Sequence, residues 1–127
     1  MTASESRTVT AHGIFNNNYD VKITKQAKEQ MAQIVDYISN ELFAPEAAIQ
    51  LLDKLENSIM ALEEFPERYQ LIDEEPWRSE GVRKIVVNNF LGYYWINTQE
   101  RKVHVTAVIY AKRDQLKQLK LMNMDDE

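Results

Sequence analysis

The sequence has no cysteine, two histidines and three glycines among 127 residues. Without cysteine it has no disulfide framework, thiol nucleophile, iron–sulfur cluster or Cys-based zinc site. His12 and His104 are too few and too far apart to suggest a metal centre. Gly13, Gly81 and Gly92 stand alone, so no glycine-rich loop is available to cradle a phosphate. No apolar run approaches the ~20 residues that span a bilayer, and the opening MTASESRTVTAHGIFNNN lacks the continuous apolar stretch of a secretory signal. Neither a metal, a nucleotide cofactor nor a membrane contact is expected, and the expected compartment is the cytoplasm.

Hydrophobic residues make up 44% of the chain, enough for one core, and the length suits one domain. The net charge of −5 is unevenly spread: residues 26–77 hold 12 acidic and 3 basic side chains, whereas residues 78–120 hold 9 basic and 3 acidic ones. A basic C-terminal half fits an anionic partner, and it also fits an ordinary solvated face.

Residues 1–18 show no sustained periodicity and are expected to form a flexible N-terminal extension. From Tyr19, apolar and polar residues alternate through YDVKIT, the pattern of a strand. Thr24 suits the N-cap of a helix whose stripe is Ala27, Met31, Ile34, Ile38 and Leu42. Pro45 ends that helix near Phe43 and opens a second one, with the stripe Ala48, Leu52, Leu55, Ile59 and Leu62. Two amphipathic helices joined by about three residues form an antiparallel hairpin. A polar loop follows, with a short strand at 69–72, and then three β-rich runs, VRKIVV, LGYYWIN and KVHVTAVIY, separated by turn-length connections. Asp114 caps a short last helix, and the acidic tail 122–127 is expected to fray. The expected fold class is α+β, in the order β-αα-βββ-(α): a twisted, mainly antiparallel sheet over residues 19–121 with the helical hairpin on one face. The other face or the rim would then be left for function.

Four segments carry a resemblance: YDVKITKQAKEQMAQIVDYI, APEAAIQLLDKLENSIMALEEFPERY, GVRKIVVNNFLGYYWI and VTAVIYAKRD. In this order and spacing they resemble the RelE/ParE superfamily of toxins from type II toxin–antitoxin, or plasmid stabilisation, modules. The resemblance implies that Arg83 matches the strand arginine that binds the scissile phosphate in nuclease members. It places Arg113 just after the last strand and Tyr110 where many members have histidine, with Lys84 and Lys112 as neighbouring cations. Leu119 lies in the region where RelE has its catalytic tyrosine, and the 67–80 loop carries an acidic DEE at 73–75 instead of a lysine cluster.

Metal-free RNA cleavage needs a base for the attacking 2′-hydroxyl, a donor for the leaving oxygen and cations for the phosphate. Arg83 and Arg113 suit the cationic role through their planar fork, Tyr110 could carry a proton, and Lys84 and Lys112 could bind substrate. Strand alternation prevents Arg83 and Lys84 from lining one floor. Tyr93, Tyr94 and Trp95 must divide between the two faces, and Trp77 in the charged loop is either an interface residue or a cover for the core edge.

The resemblance thus implies a toxin neutralised by a cognate antitoxin. It would act as a metal-independent, ribosome-dependent mRNA endoribonuclease, as a ParE-like inhibitor of DNA gyrase without nuclease chemistry, or survive as a degenerate non-toxic member. A weak homodimer through the helices is compatible with the same sequence.

Overall fold

The computed structural model describes residues 18–124; the N-terminal extension, apart from Asn18, and the last three residues lie outside that range. The chain enters as strand β1 (Asp20–Ile23) and turns at Thr24 into helix α1 (Lys25–Asp36). The Thr24 hydroxyl accepts the Ala27 N–H at 3.2 Å, satisfying one of the orphan donors of the first turn. The regular helix stops at Asp36, seven residues before the expected end, and continues as a π-helical turn over Tyr37–Glu41. That wider turn takes the fifth stripe position out of phase, so Leu42 is 54% exposed instead of buried. Helix α2 (Pro45–Met60) opens with its proline in the first turn and runs back along α1. Two 3₁₀ turns, Ala61–Glu63 and Pro66–Arg68, carry the chain out of it.

Strands β2 (Arg83–Val87), β3 (Phe90–Asn97) and β4 (Lys102–Tyr110) form an antiparallel meander, and β1 joins the outer side of β4 in parallel, giving the order β1-β4-β3-β2. Helix α3 (Gln115–Leu121), capped by the Asp114 carboxylate, follows. The expected strand at 69–72 reduces to one bridge between Leu71 and Arg83, because the segment leaves the sheet edge at once.

The sheet is covered on both faces, which corrects the expectation of a free second face. On one side Ala27, Met31, Leu51, Leu55 and Ile59 of the hairpin pack on Ile85, Val87, Tyr94, Val103, Val105 and Val108. On the other, Ile72, Val82 and Leu119 cover Leu91, Tyr93, Ala107 and Ile109, with Trp77, Met122 and Met124 against them. The last described residues are tied down rather than frayed. The Trp95 indole N–H donates to the Met124 carbonyl, and the Gln26 amide donates to the Leu121 carbonyl and accepts the Asn123 N–H. Among the described residues no helix is long and apolar enough to cross a membrane.

One irregularity sets the phase of β4. Tyr93 stands opposite Ala107 but Tyr94 opposite Val105, so Thr106 is an extra residue in β4, a bulge. Val103 and Val105 face the hairpin before it, and Val108 does so after it. Strict alternation would have sent Val108 and Tyr110 to the opposite face.

Burial sets the ionisation of two tyrosines. Tyr93 and Tyr94 are 2% and 0% exposed. Burial, helped by the Glu74 carboxylate, pushes the Tyr93 phenol up to about 12, and burial holds Tyr94 well above the ordinary phenol range. Both stay protonated in the fold, so their contribution is complete below the unfolded value near 10. It is lost as pH rises toward the folded values. A spectrophotometric titration at 295 nm should therefore show these two of the six tyrosines ionising only as the chain unfolds. Tyr93→Phe should lessen the loss of stability between pH 10 and 12.

Candidate functional site

The expected site residues divide between distant parts of the sheet. Arg83 opens β2 on the rung of Tyr94 and Val105. Tyr110 closes β4 on the rung of Phe90 and Val87. Four residues along a strand and two strands across separate them by roughly 13 Å and 10 Å in the two directions. Arg83 is also engaged: its guanidinium donates to the Glu67 carbonyl at 3.1 Å and to the Tyr69 carbonyl. Tyr94 donates from its buried hydroxyl to the Pro66 carbonyl, so three carbonyls of the 66–69 loop, those of Pro66, Glu67 and Tyr69, are held from the sheet. Lys84 points to the other face, opposite Tyr93, as alternation requires.

Tyr110, Lys112 and Arg113 do come together, on the turn that follows β4. The Arg113 N–H donates to the Tyr110 carbonyl at 3.0 Å and closes that turn. Lys112 and Arg113 are exposed, Tyr110 is 38% exposed, and its ring lies 5.6 Å from that of Phe90. Tyr110 and Arg113, but not Lys112, line a cleft of about 710 Å³, within the size range of small-molecule sites. Tyr110, Val108, Ile109 and Phe90 contribute from the sheet, Gln30, Ile34, Tyr37 and Ile38 from α1 and its π-helical turn, Gln118 from α3, and Arg113 from the rim. Its lining contains one cation and no carboxylate.

The α1 side of this cleft was not legible as a site. Ile34 and Ile38 read as ordinary stripe residues, and Gln30 carried only the weak signal of a polar residue beside the stripe. In the fold the Gln30 amide oxygen accepts the Val108 N–H at 2.8 Å. Of the aromatics, Trp77 packs on the second core, and Trp95 stacks on His104 with ring centres 4.5 Å apart.

The model of the ParE toxin of the parDE type II toxin–antitoxin system matches residues 21–115. The chain belongs to the ParE toxin family. Solved structures agree on the fold. The chromosomal ParDE system of P. aeruginosa superposes with a TM-score of 0.63 at 16% identity, over 76% of this chain and 100% of that one. The RelBE2 toxin–antitoxin complex of Mycobacterium tuberculosis gives 0.53 at 16% identity, covering 75% and 94%. A mutant of the E. coli toxin RelE in the free state gives 0.55 at 13% identity, covering 80% and 92%. The search of curated proteins returned no match. This ParE toxin carries the Tyr110–Arg113 turn and its cleft on a β-αα-βββ-α fold that resembles these solved structures.

Proposed function

We propose that this ParE-family toxin, held in check by a cognate antitoxin, arrests growth by binding DNA gyrase as a protein ligand, without cutting mRNA. The observation that carries this reading is the engagement of Arg83. The arginine needed for a scissile phosphate spends its guanidinium on two loop carbonyls, and it lies on a different rung and two strands from Tyr110 and Arg113. In-line cleavage needs cation, base and acid around one phosphate. The acidic Asp73, Glu74 and Glu75 of the loop also oppose a polyanion near that end.

Two assays on one preparation test it. Purified toxin is expected to inhibit supercoiling by gyrase and to leave mRNA intact on translating ribosomes. Cleaved mRNA with unimpaired supercoiling would overturn it. The nuclease reading retains one specific support, the phenol of Tyr110 within four residues of Lys112 and Arg113. On that reading Tyr110→Phe should reduce cleavage by at least 10²-fold, as loss of a proton carrier does. On the gyrase reading the same substitution leaves supercoiling inhibition within about twofold, because the aromatic surface is kept.

A further inference from the structure

Helix α2 carries two stripes. Ala48, Leu51, Leu55 and Ile59 are buried, and the last three pack on the sheet. At 100° per residue the opposite side gathers Glu46, Ile49, Asp53, Glu56 and Met60 within roughly 80° of arc. All five are exposed. Ile49 and Met60 stand three turns apart, about 16 Å along the axis, and the three carboxylates lie between or beside them. Lys54, the one cation of α2, sits off this stripe and donates to the Asn88 side chain at 2.8 Å. Just beyond the two ends of the helix, Phe43 and Phe65 are 85% and 72% exposed, more than any other large apolar residue described.

None of these features serves the fold. Glu46, Asp53 and Glu56 make no side-chain hydrogen bond or ion pair among the described residues. Asp53 and Glu56, three residues apart on one face, repel each other. Phe43 and Phe65 leave their rings in water and hold left-handed backbones, with φ of 53° and 48°, which bulky residues adopt at a cost. A row of exposed apolar groups set among uncompensated carboxylates is surface kept for a partner. It is separate from the cleft described above, whose lining takes no residue of α2.

We propose that the outer face of α2 is the surface with which this toxin holds DNA gyrase. Ile49 and Met60 enter apolar pockets of the enzyme, and Glu46, Asp53 and Glu56 pair with lysines or arginines around them. Charge complementarity commits the occupant. An enzyme that handles a DNA polyanion carries basic surface, and the stripe offers three carboxylates and no cation. The same charges repel RNA and acidic protein segments. The proposal rests on the gyrase reading and adds which face of the toxin makes the contact.

The test uses the full chain and purified gyrase holoenzyme, with binding followed by surface plasmon resonance and inhibition by a supercoiling assay. Ile49→Ser/Met60→Ser removes the apolar anchors, and Asp53→Lys/Glu56→Lys reverses the charge. Each double variant is expected to weaken binding and inhibition by at least tenfold. Added salt should weaken the wild type more than it weakens Asp53→Lys/Glu56→Lys. Glu29→Lys/Glu80→Lys, an equal charge change at exposed positions elsewhere, should stay within about twofold of the wild type. All substituted side chains are exposed, and circular dichroism melts confirm that the variants fold. Wild-type affinity in either α2 variant would overturn the proposal, and so would an equal loss in Glu29→Lys/Glu80→Lys, which would reduce the effect to net charge. The purified product of the open reading frame adjoining the gene is the second probe. If the α2 variants lose that protein but still inhibit gyrase, the face belongs to the antitoxin, and the proposal falls while the gyrase reading stands. Wild-type toxin that neither binds gyrase nor inhibits supercoiling removes that reading and the proposal with it.

Discussion

Ile59→Ala is expected to lower the stability of the fold by about 3 kcal/mol, and the melting temperature by roughly 10 °C. Ile59 is 0% exposed and lies on the inner stripe of α2, where it joins Leu55 and Leu51 against the sheet. Removing three carbons there loses their transfer free energy, and it leaves a cavity that strands on one side and a helix on the other cannot collapse to fill. Ile49 on the same helix provides the control, because at 59% exposure its truncation should cost less than about 0.5 kcal/mol. Thermal melts of both variants by circular dichroism decide the matter. Similar losses from the two would mean that the hairpin packs on the sheet through a different stripe.

Arg83→Ala should cost about 1.5–3 kcal/mol, the range for hydrogen bonds made by a charged group. The Glu67 and Tyr69 carbonyls both lose their donor, and the 66–69 loop keeps the ties from the Tyr94 hydroxyl to the Pro66 carbonyl and from the Tyr19 hydroxyl to the Glu67 carboxylate. Arg83→Lys should rescue less than half of the loss, since one ammonium on a flexible stem does not reproduce the planar fork that meets two carbonyls. Because Arg83 and Tyr94 hold the same loop, the double variant Arg83→Ala/Tyr94→Phe should fall short of the sum of the single losses. Urea unfolding supplies all of these values. Unchanged stability combined with lost mRNA cleavage would return Arg83 to the role of phosphate ligand and weaken the gyrase reading.

Helix and strand order was legible from local rules. The stripes through Ala27, Met31 and Ile34, and through Ala48, Leu55 and Ile59, needed only the 3.6-residue period. Thr24, Pro45 and Asp114 marked the helix starts through cap chemistry and the proline's fixed φ. The division of Tyr93 from Tyr94 followed from the two-residue period of a strand, and the turn carrying Tyr110, Lys112 and Arg113 could be read as one basic, aromatic cluster.

What lay beyond the sequence depended on pairings between distant segments. The run KVHVTAVIY alternates without a visible interruption, yet its pairing with β3 inserts Thr106 as a bulge and turns Tyr110 toward the hairpin. The early exit of β1 at Thr24 leaves the β4 edge open, and only the packed position of α1 makes Gln30, Ile34 and Ile38 a wall beside it. Whether Arg83 meets a phosphate or a carbonyl was equally out of reach, because the strand carrying it and the loop it holds are separated by fourteen or more residues of chain. Local propensity and capping act over a few residues, so the sequence alone determined which elements form and in what order. Register, the bulge and the cleft arise from hydrogen bonds and packing across long sequence separations, and the tertiary structure alone decided them.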